Sequence, residues 1–265
     1  MKRWIPFLKS PPTVAVVRMS GMISAGGRGS LNDEKIGPVL ERAFRRGKPD
    51  AVALVVNSPG GSPVQSSLIG ARVRRLAEER EIPVFAFVED VAASGGYWLA
   101  ASADEIWIDH SSVIGSIGVI SAGFGLDEFI DKHGVSRRVH TAGKSKSMLD
   151  PFQPEKTADV KRLKILLEQI HESFIAHVKE RRDGKLSEDT DLFTGDIWAG
   201  ENAINVGLAD GIGHLVPKMK ERFGDKVAFR VYGPKRGLLQ RFGTQVVSDA
   251  LSGIEERAEY ARFGL

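Results

Sequence analysis

Residues Ala51 to Val56 read Ala-Val-Ala-Leu-Val-Val, apolar at odd and even positions alike. A strand with one wet face alternates. A strand apolar on both parities must be covered on both sides, as in a parallel sheet flanked by helices. Pro83 to Val88 repeats the pattern. Around these two runs, strand and helix patterns alternate. A strand is expected over Thr13–Arg18, then a helix capped by Ser30 or Asn32 and running to about Arg46, with Ile36, Val39, Leu40 and Phe44 on one face. A helix over about Val64–Glu79 follows, then strands over Glu105–Asp109 and Gly115–Ile120. Such alternation implies right-handed crossovers and an α/β fold.

Beyond these, the pattern predicts a helix over Phe124–His133 and a strand over Val135–Thr141. One long amphipathic helix runs from Glu155 to about Arg182, its apolar side supplied by Leu163, Ile165, Leu166, Ile170, Phe174, Ile175 and Val178. A helix over Ala199–Val206, a strand over Val227–Tyr232 and an amphipathic helix over Val246–Tyr260 complete the chain.

Composition removes several functions. The 37 basic and 34 acidic residues are interspersed, for a net charge of +3, so there is no basic stripe to grip nucleic acid. Cysteine is absent, which excludes thiol nucleophiles, disulfides and thiolate metal sites and fits a reducing compartment. No run approaches the roughly twenty apolar residues of a membrane span. The basic start, Met1 to Lys9, is too interrupted for a signal peptide. A cytoplasmic chain is expected. Trp4, Phe7 and Leu8 among basic residues offer either a peripheral contact to an anionic membrane or a frayed end.

In open α/β sheets, ligands bind beyond the carboxyl ends of strands. Two strand-to-helix junctions here carry small residues: Asn57-Ser58-Pro59-Gly60-Gly61 and Val91-Ala92-Ala93-Ser94-Gly95-Gly96. Ser94 stands where it can cap a helix, its hydroxyl near the orphan N–H groups; that serves a nucleophile and an ordinary cap equally. Gly60, Gly61 and Gly95 offer N–H groups without side chains for a developing oxyanion, or else form a plain turn. A serine nucleophile needs a base. Six histidines are present, none in a typical triad context, and G-x-S-x-G is absent because Ala92 holds the first glycine's place; His110 and His140 are the triad alternatives. The segment Gly143-Lys144-Ser145-Lys146-Ser147-Met148 supplies lysines. A lysine at its ordinary pKa of about 10.4 is a poor base at pH 7, and burial among apolar groups is what lowers it. Spacing leaves Lys144 and Lys146 undecided.

The order S-P-G-G, A-S-G-G-Y, G-S-I-G-V and G-x-x-K-S followed by D-P-F resembles the Ser–Lys peptidases of the signal peptide peptidase A (protease IV) family. The resemblance extends over Val14 to Gly213 and includes G-x-x-W-x-G-x-x-A at Gly195–Ala203. It implies a Clp/crotonase-like core of repeated βαβ units with a long helical extension, in the short single-copy form. An N-terminal arm at 1–12 would precede a peptidase domain over 13–215 containing the helix at 155–182, with a C-terminal strand and helix over 216–265. Carried onto matching positions, the resemblance implies Ser94 as nucleophile, Lys146 as general base, Ser116 as the residue orienting the lysine, and Gly61 and Gly95 as oxyanion donors. No metal or cofactor is implied. Peptides are the implied substrates. The implied assembly is a homo-oligomeric ring in which serine and lysine meet across a subunit interface. Well-known members carry a membrane anchor, and no such segment is read here. The rival readings are a crotonase-like acyl-coenzyme A enzyme and a non-catalytic scaffold on the same fold.

Overall fold

The two doubly apolar runs lie side by side. The structure is a computed structural model describing residues 11–26, 30–143, 145–233, 257 and 260–264. In it β2 (Ala51–Ser58) and β3 (Val84–Ala93) pair in parallel, from Val52 opposite Val84 to Val56 opposite Val88. β1 (Thr13–Ser20) lies parallel on the other side of β2, and β8 (Ala228–Tyr232) parallel beyond β1. The remaining edge of β3 is shared. Phe85–Phe87 pair with β4 (Glu105–Ile108), which in turn pairs with β7 (Gly211–Ile212). Val91–Ala93 pair instead with β5 (Val113–Gly115), which carries the antiparallel β6 (Ile197–Ala199). The result is a largely parallel sheet built from βαβ units, the α/β core that the alternating pattern predicts.

Helices cover this sheet because their caps and apolar faces suit it. Asn32 opens α1 (Asp33–Arg45), its side-chain oxygen accepting the Lys35 N–H at 3.0 Å, and Ile36, Val39, Leu40 and Phe44 are buried. Ser62 caps α2 (Pro63–Arg80), with Pro63 in the first turn, where its missing N–H does no harm. All seven residues of α3 (Gly95–Ala101) are buried. Below the sheet, Val14, Val16, Ala53, Val55, Phe85 and Phe87 form a core with Met219 of the helix Leu215–Phe223.

The chain divides into two units, residues 1–117 with 175–265, and residues 118–174. The second unit holds α4 (Asp127–Lys132) and the start of α5 (Thr157–Arg181). Three expectations need correcting. The strand expected at Gly115–Ile120 is β5, which ends at Gly115; Ser116 turns away with a φ of 51°. The helix expected over Phe124–His133 is six residues long. Val135–Thr141 form no strand: all but the half-buried Val139 are exposed and, among the described residues, no strand pairs with the stretch. Its alternation had only two valines to bury, too little apolar surface to fix an unpaired edge. Most of the arm at 1–12 and of the helix expected over Val246–Tyr260 lies outside the described residues.

The end of α5 and the turn after it hold α3 from behind. His177 stacks on Trp98, ring centroids 4.6 Å apart and planes 11° from parallel, and its Nε2 lies 3.1 Å from the Trp98 carbonyl oxygen. Burial holds His177 below the ordinary imidazole range, opposed by that carbonyl and reinforced by Arg181. Arg181 donates to the carbonyls of Ala101 and Ala103. Arg182, with a side chain 2% exposed, donates to the Gly207 carbonyl and to Asp210 Oδ2 at 2.6 Å. Beside it the buried Tyr97 hydroxyl donates to the Leu208 carbonyl at 2.9 Å. Burial raises the Asp210 pKa, but hydrogen bonds from Arg182 and Lys185 outweigh it, and the carboxyl titrates below its usual range.

Removing one partner of such a pair strands the other charge, a loss on the order of 3–5 kcal/mol. Asp210→Asn is therefore expected to lose about that much stability at pH 7, by urea unfolding. Because the folded carboxyl titrates below its unfolded value of about 3.9, its contribution is full at neutral pH and fades as pH falls through the folded value. The stability–pH curve of Asp210→Asn should accordingly be flatter in acid. A variant as stable as the parent at pH 7 would refute the assignment.

Candidate active site

Ser94 follows β3 directly and precedes α3. Its φ of 51° and ψ of −121° differ from the extended conformation of an N-cap, and its side chain makes no capping bond. The cap expected from the sequence is therefore not formed, and the hydroxyl is left without that task. The conformation costs on the order of 1–3 kcal/mol and persists only where the surroundings enforce it. Here they do: Ser94 N–H donates to the Gly115 carbonyl at 2.8 Å, and the Ser94 carbonyl accepts from Trp98 N–H at 3.0 Å. A sharp strand-to-helix turn of this kind presents a serine oxygen beyond the sheet.

The turn after β2 packs against that peptide. A Cβ on Gly60 would lie 2.8 Å from both Ser94 Cβ and the Ala93 carbonyl oxygen, and one on Gly61 would lie 2.0 Å from the Ile23 carbonyl oxygen. Both glycines also have positive φ, 105° and 134°. Ile23 fixes the turn by accepting from Ser62 N–H and donating to the Gly60 carbonyl, each at 2.7 Å. These bonds flank Gly61 and leave its own N–H without a partner among the described residues. The Gly95 N–H, in the first turn of α3, is likewise unbonded there. A Cβ on Gly95 would come 3.4 Å from Gly61 N, so the two free donors are close neighbours beside Ser94. Ser94, Gly61 and Gly95 are thus brought together. Two unbonded N–H groups next to a hydroxyl can hold the oxyanion of an acyl-transfer intermediate.

Ser116 occupies the corresponding place on the next strand. Ala93 and Gly115 are register partners, so Ser94 and Ser116 each follow one member of the same pair. The Ser116 N–H donates to the Asp196 carbonyl at 2.7 Å, and its φ equals that of Ser94. Lys146 belongs to the second unit, in an exposed turn where its N–H donates to the Gly143 carbonyl at 3.2 Å. Lys144 lies outside the described residues. His110 and His140 are both exposed, one in each unit. Among the described residues no cluster of His, Asp or Glu is arranged to hold a metal ion. Ile23 was not singled out from the sequence. It sits just before the glycine-rich stretch Ser24–Ser30, and its apolar side chain was the sole local hint.

The family model for peptidase family S49 matches residues 77–222, a span containing Ser94, Gly95, Ser116 and Lys146. The Na(+)/H(+) antiporter NhaA of Brucella melitensis is 47% identical over 286 residues, covering 100% of this chain and 39% of the antiporter. This chain thus spans about two fifths of the length of that relative. The "Probable protease SohB" of Haemophilus influenzae is 32% identical over 246 residues, covering 91% of this chain and 67% of its own. The chloroplastic serine protease SPPA of Arabidopsis thaliana is 29% identical over 203 residues, covering 76% of this chain and 29% of its own. No helix among the described residues is long and apolar enough to cross a membrane. With a family model spanning more than half of its 265 residues, the chain belongs to peptidase family S49.

Proposed function

We propose that this chain is a serine endopeptidase that hydrolyses peptide bonds in short or unfolded peptides through a Ser–Lys dyad and an acyl-enzyme. The observation that carries the reading is the pair of unbonded N–H groups, Gly61 and Gly95, beside the Ser94 turn. The uncharged Lys146 amine takes the Ser94 proton as Oγ attacks the substrate carbonyl carbon. The two N–H groups hold the resulting oxyanion. As the tetrahedral intermediate collapses, the Lys146 ammonium gives its proton to the leaving amine and an ester on Ser94 remains. Water then attacks the ester, the amine takes the water's proton, and collapse returns that proton to Ser94 Oγ and releases the acid. Ser116 orients the amine.

A base of this kind works only unprotonated, and removal from water favours that form. In a single chain Lys146 lies in an exposed turn. A site completed by a neighbouring copy, with the serine of one chain meeting the lysine of the next, supplies the missing cover. Exposed Ile120 and Phe124, at 69% and 87%, mark the same unit as a surface that assembly would bury. Peripheral membrane contact through Trp4, Phe7 and Leu8 involves residues outside those described.

In the assembled oligomer, Ser94→Ala and Lys146→Ala are each expected to lower peptide hydrolysis by at least about a thousandfold without changing the melting temperature. A fluorophosphonate probe should label the parent and not Ser94→Ala. Full activity in Ser94→Ala would sink the peptidase reading and favour acyl-coenzyme A chemistry, which needs the N–H pair but no nucleophile. Gly61→Ala should lower kcat by roughly a hundredfold or more, because the Ile23 carbonyl forces the loop and its donor to move. Unchanged kcat would remove Gly61 from the site.

A further inference from the structure

Pairing of β2 with β3 is interrupted near its carboxyl end. Val56 is opposite Val88 and Ser58 is opposite Ala92, so Glu89, Asp90 and Val91 stand across from Asn57 alone. Two extra residues preserve which face each side chain takes while bending the strand. The Asn57 side chain spans the gap. Its Nδ2 donates to Asp90 Oδ2 at 2.6 Å, and its Oδ1 accepts from Val91 N–H at 3.3 Å. The Asn57 main-chain carbonyl is held as well, accepting from Gly21 N–H at 3.0 Å and from the Tyr260 hydroxyl at 2.8 Å.

Asn57 therefore sits where the two halves of the candidate site diverge. One residue on, Ser58 opens the turn to Gly60 and Gly61, and its hydroxyl accepts from Gly60 N–H at 3.3 Å. Across the bulge, Val91 to Ala93 lead straight to Ser94. The carboxamide is a side-chain tie between the strand that delivers the donors and the strand that delivers the hydroxyl. We propose that Asn57 is a positioning residue that sets the spacing between the Ser94 hydroxyl and the Gly61 N–H by holding the β3 bulge, and that Tyr260, near the chain's far end, braces it through its main-chain carbonyl. The inference rests on the Ser94–Gly61–Gly95 reading above, and adds to it two residues that touch no reacting atom.

Three variants of the full chain in its assembled form test this. Asn57→Asp places a second carboxylate against Asp90 and removes the donor. It is expected to lower kcat for an internally quenched peptide by roughly tenfold to a hundredfold with KM within about twofold, and to slow fluorophosphonate labelling in step. Combining Asn57→Asp with Asp90→Asn restores a donor–acceptor pair across the bulge and should recover most of kcat. Tyr260→Phe, which removes one hydroxyl, should lower kcat a few-fold at an unchanged melting temperature. Parent-like kcat in Asn57→Asp would overturn the positioning role. So would a loss that tracks melting temperature and is not rescued by the exchange. Parent-like kcat in Tyr260→Phe would overturn the brace. These failures differ from failure of the underlying reading, in which the parent's Ser94 is neither labelled nor required.

Discussion

No side chain fits between the turn after β2 and the peptide that joins β3 to α3. Gly60 faces Ser94 Cβ and the Ala93 carbonyl, Gly61 faces the Ile23 carbonyl, and Gly96 faces the Ser58 carbonyl, each closer than any Cβ would allow. Backbone thus meets backbone at the carboxyl ends of two adjacent parallel strands. That contact explains the small-residue composition of both junctions. It also explains why their N–H groups are available: strands that ended further apart would have admitted side chains, and those would have bonded or blocked the donors.

Holding two chain segments this close has a cost that the surroundings must offset. Ser94 and Ser116 both adopt a φ of 51°, where a side chain is disfavoured. Each is pinned by a main-chain bond to a neighbouring strand or loop, Ser94 to Gly115 and Ser116 to Asp196. Behind them, α3 exposes no residue to solvent and is clamped by His177, Arg181 and the Arg182–Asp210 pair. A buried guanidinium is a poor way to gain stability, since its desolvation roughly cancels its attraction to the carboxylate. Its directed bonds to Gly207 and Asp210 instead fix one placement of the segment whose Leu208 carbonyl accepts from Tyr97.

What was legible in the sequence follows from where burial decides structure. β2 and β3 were readable because residues apolar on both parities have one way to be covered, and α1 because Asn32 and its buried face agree. The two glycine-bearing junctions were readable for the same reason, lying at the ends of those strands. Val135–Thr141 misled because a period-two pattern states a preference for pairing without supplying an edge to pair with. β5 was displaced because a three-residue strand gives no period at all. The cap open to Ser94 in the sequence does not form because capping depends on φ, which a one-dimensional pattern does not carry. Asn57 was invisible as a tie: its role comes from a bulge whose extra residues, Glu89 to Val91, look in sequence like a polar end to a strand.

The distribution of the proposed machinery along the chain has a consequence for control. Ser94, Gly61, Gly95 and Ser116 are all held by main-chain contacts within one unit. The proposed base is not. Lys146 lies in another unit, in a turn open to water. A hydroxyl with its oxyanion site ready but no neutral amine beside it cannot begin acyl transfer, because the proton has no acceptor. In the proposed assembly the serine of one chain meets the lysine of the next, which would supply that acceptor and cover it from water together.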